Sequence, residues 1–209
     1  MQKHEWRKAE KSLYLPKAKP EIINIGEMKF ITISGRGNPN SSEFTGYIEA
    51  LYATAYTIKM TLKNLVPAPR DYMDYTVYPL EGVWDITDEA KKDFNGTINK
   101  DDLIFKLMIR QPDFVTEKFF VEMLELAKKK KANPLLEQVL YESISEGKCV
   151  QMMHLGSFDD EPATFAIMEA FAEQQGLIRH SKIHRELYIS DVRKVAPEKL
   201  KTTLRFSVT

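Results

Sequence analysis

Glu186 sits in a segment whose residue types invite chemistry. From Ile183 to Ser190 the side chains alternate, and a strand sends alternate residues to opposite faces. One face then carries Ile183, Arg185, Leu187 and Ile189; the other carries His184, Glu186, Tyr188 and Ser190. The first belongs under helices, so the second is expected to meet water, a partner or a ligand. A carboxylate among aromatic rings has two uses. It attracts a cationic or donor-rich ligand, with Tyr78, Tyr188 and Trp84 supplying ring faces, and a cation over such a ring gains about 0.5–2 kcal/mol. It also serves as a general base on water, because desolvation raises a carboxylate pKa towards neutrality. The alternative is a glutamate solvated on an exposed strand.

Other strands offer similar faces. Leu103–Arg110 places Leu103, Phe105, Leu107 and Ile109 on one side and Ile104, Lys106, Met108 and Arg110 on the other. Cys149–Leu155 offers Val150, Met152 and His154. Apolar bulk with sparse polar anchors suits a small-molecule site. Lys106, Met108, Met152, His154, Phe158, Trp84 and Tyr47 are therefore expected to line or rim a groove, with Tyr52 as an alternative to Tyr47 at its edge. For Tyr47, His154 and Phe158 the alternative is core packing or an ordinary strand end.

Several other patterns carry a blander reading. Gly35-Arg36-Gly37 starts like a dinucleotide loop, but Asn40 stands where the third glycine would be, so it reads as a turn. His180 and His184 straddle the start of a strand and lack a third ligand at suitable spacing, so no metal site is expected. Lys128–Lys131 reads as cationic capping of a helix C-terminus rather than a nucleic-acid patch. Asp85, Asp88, Asp93, Asn95, Asp101 and Asp102 lack the calcium-loop order. Cys149 reads as a buried strand residue.

The elements that position these residues follow from periodicity. Met1–Pro20 reads as an extension in which Pro16 and Pro20 exclude a continuing helix, and Ile22, Ile23 and Ile25 as a covering strand. Met28–Ser34 reads as a strand closed by a Gly/Asn/Pro turn. Phe44, Tyr47, Ile48, Leu51, Ala55, Ile58 and Leu62 recur at helical spacing after Ser41 or Ser42 as cap. Strands are expected at Tyr72–Tyr78, Leu80–Ile86 and Leu103–Arg110, with an Asn95-Gly96 turn. Helices follow over Phe114–Lys131 and Pro134–Glu146, the second capped by Asn133 and stopped by Gly147. Then come a strand over Cys149–Leu155, a helix ending at Gly176, a strand over Ile183–Ser190, a helical turn over Pro197–Lys201 and a strand over Thr203–Val208.

This order repeats one grammar, strand–helix–strand–strand. The expected fold is α+β, with duplicated modules sharing an antiparallel sheet, helices on one face and a ligand groove on the other. An ordinary α+β sandwich is the alternative. The boundaries expected are an extension over 1–26, a first module over 27–110, connecting helices over 111–147 and a second module over 148–209.

Composition narrows the class. The 209 residues are 43% hydrophobic, enough for one packed domain or two small fused ones. Lys+Arg equals Asp+Glu, so no global charge draws the chain to nucleic acid or an anionic membrane. Met1–Glu10 lacks the apolar core of a secretory signal, and no apolar run is long enough for a membrane span. A single cysteine excludes an internal disulfide and fits a cytoplasmic, soluble protein.

Three stretches carry a family resemblance: His184-Arg185-Glu186-Leu187-Tyr188-Ile189-Ser190-Asp191-Val192-Arg193-Lys194-Val195-Ala196-Pro197-Glu198-Lys199-Leu200-Lys201-Thr202, Tyr78-Pro79-Leu80-Glu81-Gly82-Val83-Trp84, and Met28-Lys29-Phe30 through Gly35-Arg36-Gly37-Asn38-Pro39-Asn40. Together they resemble the GyrI-like small-molecule-binding family over about Leu13 to Val208. The resemblance implies two fused modules around a concave groove. It matches Glu186 to the groove glutamate and Tyr78, Trp84 and Tyr188 to the aromatic lining. It implies binding of hydrophobic or aromatic, including cationic, molecules. Some stand-alone relatives hydrolyse cyclopropane-bearing DNA-alkylating compounds. By that reading Glu186 orients or deprotonates water, and Tyr78, Tyr188 or Lys106 stabilises charge on the carbonyl oxygen. The remaining alternatives are a non-catalytic sequestering or sensing module and a protein that interacts with a topoisomerase such as DNA gyrase. No cofactor is expected. No helix-turn-helix segment stands beside the domain, so direct nucleic-acid binding is not expected either.

Overall fold

Alternating and helical periodicities map onto an α+β chain, of which the computed structural model describes residues 3–92 and 97–209. The expected Asn95-Gly96 turn lies outside the described residues. The strands are β1 (Glu21–Arg36), β2 (Leu80–Ile86), β3 (Leu103–Gln111), β4 (Leu140–Leu155), β5 (His184–Tyr188) and β6 (Lys201–Ser207). The helices are α1 (Trp6–Ala9), α2 (Lys11–Tyr14), α3 (Ser42–Asn64), α4 (Asp88–Lys92), α5 (Glu117–Lys130) and α6 (Glu161–Gln174). The strand–helix–strand–strand order occurs twice, as β1, α3, β2, β3 and as β4, α6, β5, β6. No helix among the described residues is long and apolar enough to cross a membrane.

The chain packs as two units. The first takes the residues up to Glu5 with Met28–Tyr78 and Trp84–Ile144; the second takes Trp6–Glu27, Pro79–Val83 and Ser145–Thr209. In the first, the strand neighbours run β1-β3-β2. β1 and β3 are antiparallel from Lys29 opposite Gln111 to Arg36 opposite Ile104. Helix α3 starts where the Ser41 hydroxyl accepts from the Phe44 amide at 3.4 Å. It buries Leu51, Ala55, Ile58 and Leu62, which share one face at 3.6-residue spacing. Gly35 is needed for close approach: a Cβ there would meet the Phe105 ring at 2.6 Å and Tyr47 at 2.8 Å.

In the second unit the neighbours run β2-β5-β6-β4. β4 pairs with β6 from Cys149 opposite Ser207 to Leu155 opposite Lys201. β5 pairs with β6 so that Glu186 stands opposite Leu204. Val150, Met152, Leu204 and Phe206 from these strands meet Met168 and Ala172 of α6 in one apolar cluster.

Three local expectations are corrected. Pro134–Glu146 is not a helix. Asn133 does cap, accepting from the Leu135 amide at 3.0 Å, but only a 3-10 turn over Pro134–Gln138 follows, and the chain then enters β4. Ser143 and Ser145 are weak helix formers, and the ladder of a long strand satisfies the same backbone groups. Tyr72–Tyr78 is not a strand either. Tyr75 makes one isolated parallel bridge to His4, too little pairing to sustain a ladder. The supposed covering strand at Ile22–Ile25 is continuous with Met28–Ser34 as β1. Within the expected extension, α1 and α2 bury Trp6 and Tyr14, with ring centroids 5.0 Å apart.

Candidate functional site

Strand β5 is anchored from one face and carries the candidate site residues on the other. Leu187 and Arg185 are both buried. Arg185 donates to Glu81 at 3.1 Å and pairs with Glu146 at 3.1 Å. Arg205 pairs with the same Glu146 oxygen at 2.9 Å and also donates to Gln151 and to the Leu13 carbonyl. Burial pushes the Glu81 carboxyl up, while the charges of Arg185 and Arg205 pull it down. A half-satisfied charge here would be costly, so the network fixes the position of β5 and the direction in which its opposite face points.

On that opposite face, Glu186 is 8% exposed and meets Glu161, which is 6% exposed. One donor atom from each of Glu161, His184 and Glu186 lies within 4.8 Å of the others. His184 Nε2 is 3.1 Å from Glu186 Oε1, and His184 Nδ1 is 3.1 Å from the Lys182 carbonyl. Glu161 opens α6, and Pro162 follows it in the first turn. A helix N-terminus ordinarily favours a carboxylate. Here burial, then the charge of Glu186 and a hydrogen bond shared with it, hold the Glu161 carboxyl well above its usual range. Two carboxyls this close and this dry do not both ionise readily, so the pair resists losing its last proton.

Aromatic rings flank the pair. Phe165, one turn into α6, stands edge-on to His184 with centroids 4.7 Å apart. Tyr188 meets Phe158 edge-on at 5.9 Å, and Phe158 is exposed at the rim. His154 is buried at the end of β4, with Nε2 2.9 Å from the Ser157 carbonyl and Nδ1 2.8 Å from the Thr164 hydroxyl. A carbonyl only accepts, so Nε2 carries the hydrogen and Nδ1 accepts from Thr164. This clasp ties β4 to the turn that begins α6, and so sets where Glu161 lies. Met152 is in the apolar cluster beneath α6.

The remaining sequence candidates lie in the first unit. Trp84 packs on Phe44 and Phe105, and Tyr47 meets Phe105 edge-on at 5.2 Å. A pocket of about 220 Å³ at the start of α3 is lined by Arg36, Asn38, Ser41, Tyr47 and Phe105 among others, and by neither Glu161 nor Glu186. Lys106 Nζ lies 3.0 Å from both oxygens of Glu142, which also accepts from Thr32. Burial works to raise the Glu142 carboxyl, but these partners outweigh it and hold it low. Met108 is fully buried. Tyr78 is buried beside Tyr75, with the Arg110 guanidinium 4.9 Å from its ring centre.

Sequence reasoning missed Glu161 and Phe165. Glu161 precedes a proline in an acidic turn and looks like a routine helix-start residue; nothing local announces that it faces Glu186. His184 was paired in sequence with His180, but His180 instead bonds the Thr209 hydroxyl at 2.7 Å.

The model of the GyrI-like small molecule binding domain matches residues 18–209. The chain belongs to this family. Two crystal structures of hydrolases from Listeria innocua are similar to it over essentially their full lengths. One is 39% identical, covering 99% of this chain and 100% of its own, with a TM-score of 0.86. The other is 40% identical, covering 100% of both, with a TM-score of 0.87. The C-terminal domain of EcmrR shares the fold at 14% identity, covering 94% of this chain and 98% of its own, with a TM-score of 0.54. No curated protein matches significantly. Membership makes this a small-molecule-binding domain.

Proposed function

We propose that the chain binds hydrophobic or aromatic small molecules, cations among them, against the Glu161–Glu186 pair, and hydrolyses reactive electrophiles such as cyclopropane-bearing DNA-alkylating compounds. The observation that carries this reading is the buried carboxyl pair, in which burial and the neighbouring Glu186 hold the Glu161 carboxyl well above its usual range. Such a pair holds an acid and a base side by side. Glu186 takes a proton from water while the water oxygen bonds to a ring carbon. The strained carbon–carbon bond breaks, and its electrons pass to the conjugated carbonyl oxygen. Glu161 or the Tyr188 hydroxyl donates to that oxygen. Tyr188, Phe158 and Phe165 hold the flat substrate. The hydrolase names of the Listeria proteins support this reading.

The test follows the absorbance of a cyclopropane-bearing compound in ¹⁸O-labelled water. Wild type should give a ring-opened product carrying one labelled oxygen. Glu186→Gln should lose turnover by about 10²–10⁴-fold, the usual worth of a general base, while still binding the compound. Turnover unchanged in both Glu186→Gln and Glu161→Gln refutes the assignment. Compound bound stoichiometrically and recovered intact from wild type reduces the function to sequestration or sensing.

A further inference from the structure

We propose that Glu161, His184 and Glu186 form a binding site for one divalent first-row transition-metal ion of the zinc or manganese class. Three observations point there independently of any turnover. The first is spacing. The three donor atoms lie within 4.8 Å of one another. Ligands held about 2.0–2.2 Å from an ion sit roughly 3–4 Å apart, so small side-chain rotations draw this triad onto a shared centre.

The second is the orientation of the imidazole. His184 Nδ1 is 3.1 Å from the backbone carbonyl of Lys182, which only accepts, so Nδ1 carries a hydrogen. In the neutral ring Nε2 is then a bare lone pair, and it points at Glu186 Oε1 from 3.1 Å. Two acceptors facing at that distance require a proton or a cation between them. A histidine whose outer nitrogen is fixed by a backbone carbonyl is also how metal-ligating imidazoles are held.

The third is an unmet acceptor. Glu161 Oε1 is buried and has no hydrogen-bond partner. The two cations that precede β5 do not neutralise it: Arg179 and Lys182 both bind Glu169, at 2.7 and 2.5 Å. An ion ligated by this carboxylate would give its buried oxygens a cationic partner.

Donor chemistry sets the class. Two carboxylates and one imidazole suit zinc, manganese or ferrous iron. The imidazole disfavours calcium and magnesium, and the lack of a thiolate disfavours cuprous copper. Three protein ligands leave coordination positions for water or a ligand atom.

The experiment strips the purified protein with EDTA and titrates it by calorimetry with zinc chloride and manganese chloride, with magnesium chloride as a control. One equivalent of zinc or manganese should bind, each competing with the other, with magnesium far weaker. Glu161→Gln, His184→Gln and Glu186→Gln should each weaken binding by at least about tenfold, and His180→Gln should not. Circular dichroism of the metal-free variants shows that they are folded, and the electron paramagnetic resonance signal of bound manganese should revert towards that of the free ion in each of the three. No saturable binding, or binding undiminished in all three folded variants, overturns the proposal. If EDTA-treated protein fails to take up metal yet binds or turns over an aromatic ligand, the metal site falls and the function proposed above stands. Metal uptake without any ligand binding gives the converse.

Discussion

Replacing Glu161 by Gln removes one ionisable group from a buried pair whose facing oxygens lie within 4.8 Å. At that separation or closer and an effective dielectric near 20, two full charges repel by at least about 3 kcal/mol. The folded carboxyl of Glu161 is raised, by burial first and by Glu186 second, so the native state keeps its proton over a range where the unfolded chain has lost it. Stability therefore falls as pH rises from about 4.5 through the raised folded value, because the native state binds more protons than the unfolded one. Glutamine has no such transition. Below pH 4.5 the variant should match wild type within about 1 kcal/mol, the worth of one altered hydrogen bond. Towards pH 9 it should be more stable by about 2–3 kcal/mol, the repulsion less that hydrogen bond. Urea unfolding of both proteins in EDTA at several pH values between 4 and 9.5 measures the difference, and the shared titration of Glu81 cancels in it. A difference that does not change with pH, or a variant less stable than wild type at pH 9, refutes the like-charge account.

Arg185→Met leaves Glu81 buried without its hydrogen-bonded cation, and should destabilise the protein by about 3–5 kcal/mol in urea; a loss under 1 kcal/mol would show that the network does not fix β5. His154→Ala removes the clasp between β4 and α6, and should cost about 1–3 kcal/mol and reduce turnover together; lost stability with turnover untouched would mean that His154 does not place Glu161. Cys149 is fully buried, and burial pushes its thiol up to about 11. A thiol reagent at pH 8 should therefore label the native protein at least about 100-fold more slowly than the urea-unfolded chain, and comparable rates would contradict that burial.

Much of the frame was legible because it is local. Alternation over Ile183–Ser190 separates Glu186 from Leu187 whatever surrounds the strand, and β5 keeps that separation. The spacing of Leu51, Ala55, Ile58 and Leu62 sets the buried face of α3. The region after Asn133 was misread because a cap, a proline and a later glycine are equally compatible with one 3-10 turn. The choice there falls to backbone pairing with distant strands, which no local pattern records.

The sequence by itself determined that an acid, a histidine and a tyrosine share one side of a short strand, because side-chain direction in a strand depends only on backbone period. Only the tertiary structure decided what stands opposite them. The clasp at His154 brings the first residue of α6 against β5, and the Arg185–Glu81–Glu146 network holds that strand from behind. Glu161 owes its raised carboxyl to that arrangement, since desolvation and a neighbouring charge belong to the packed site and not to any stretch of residues.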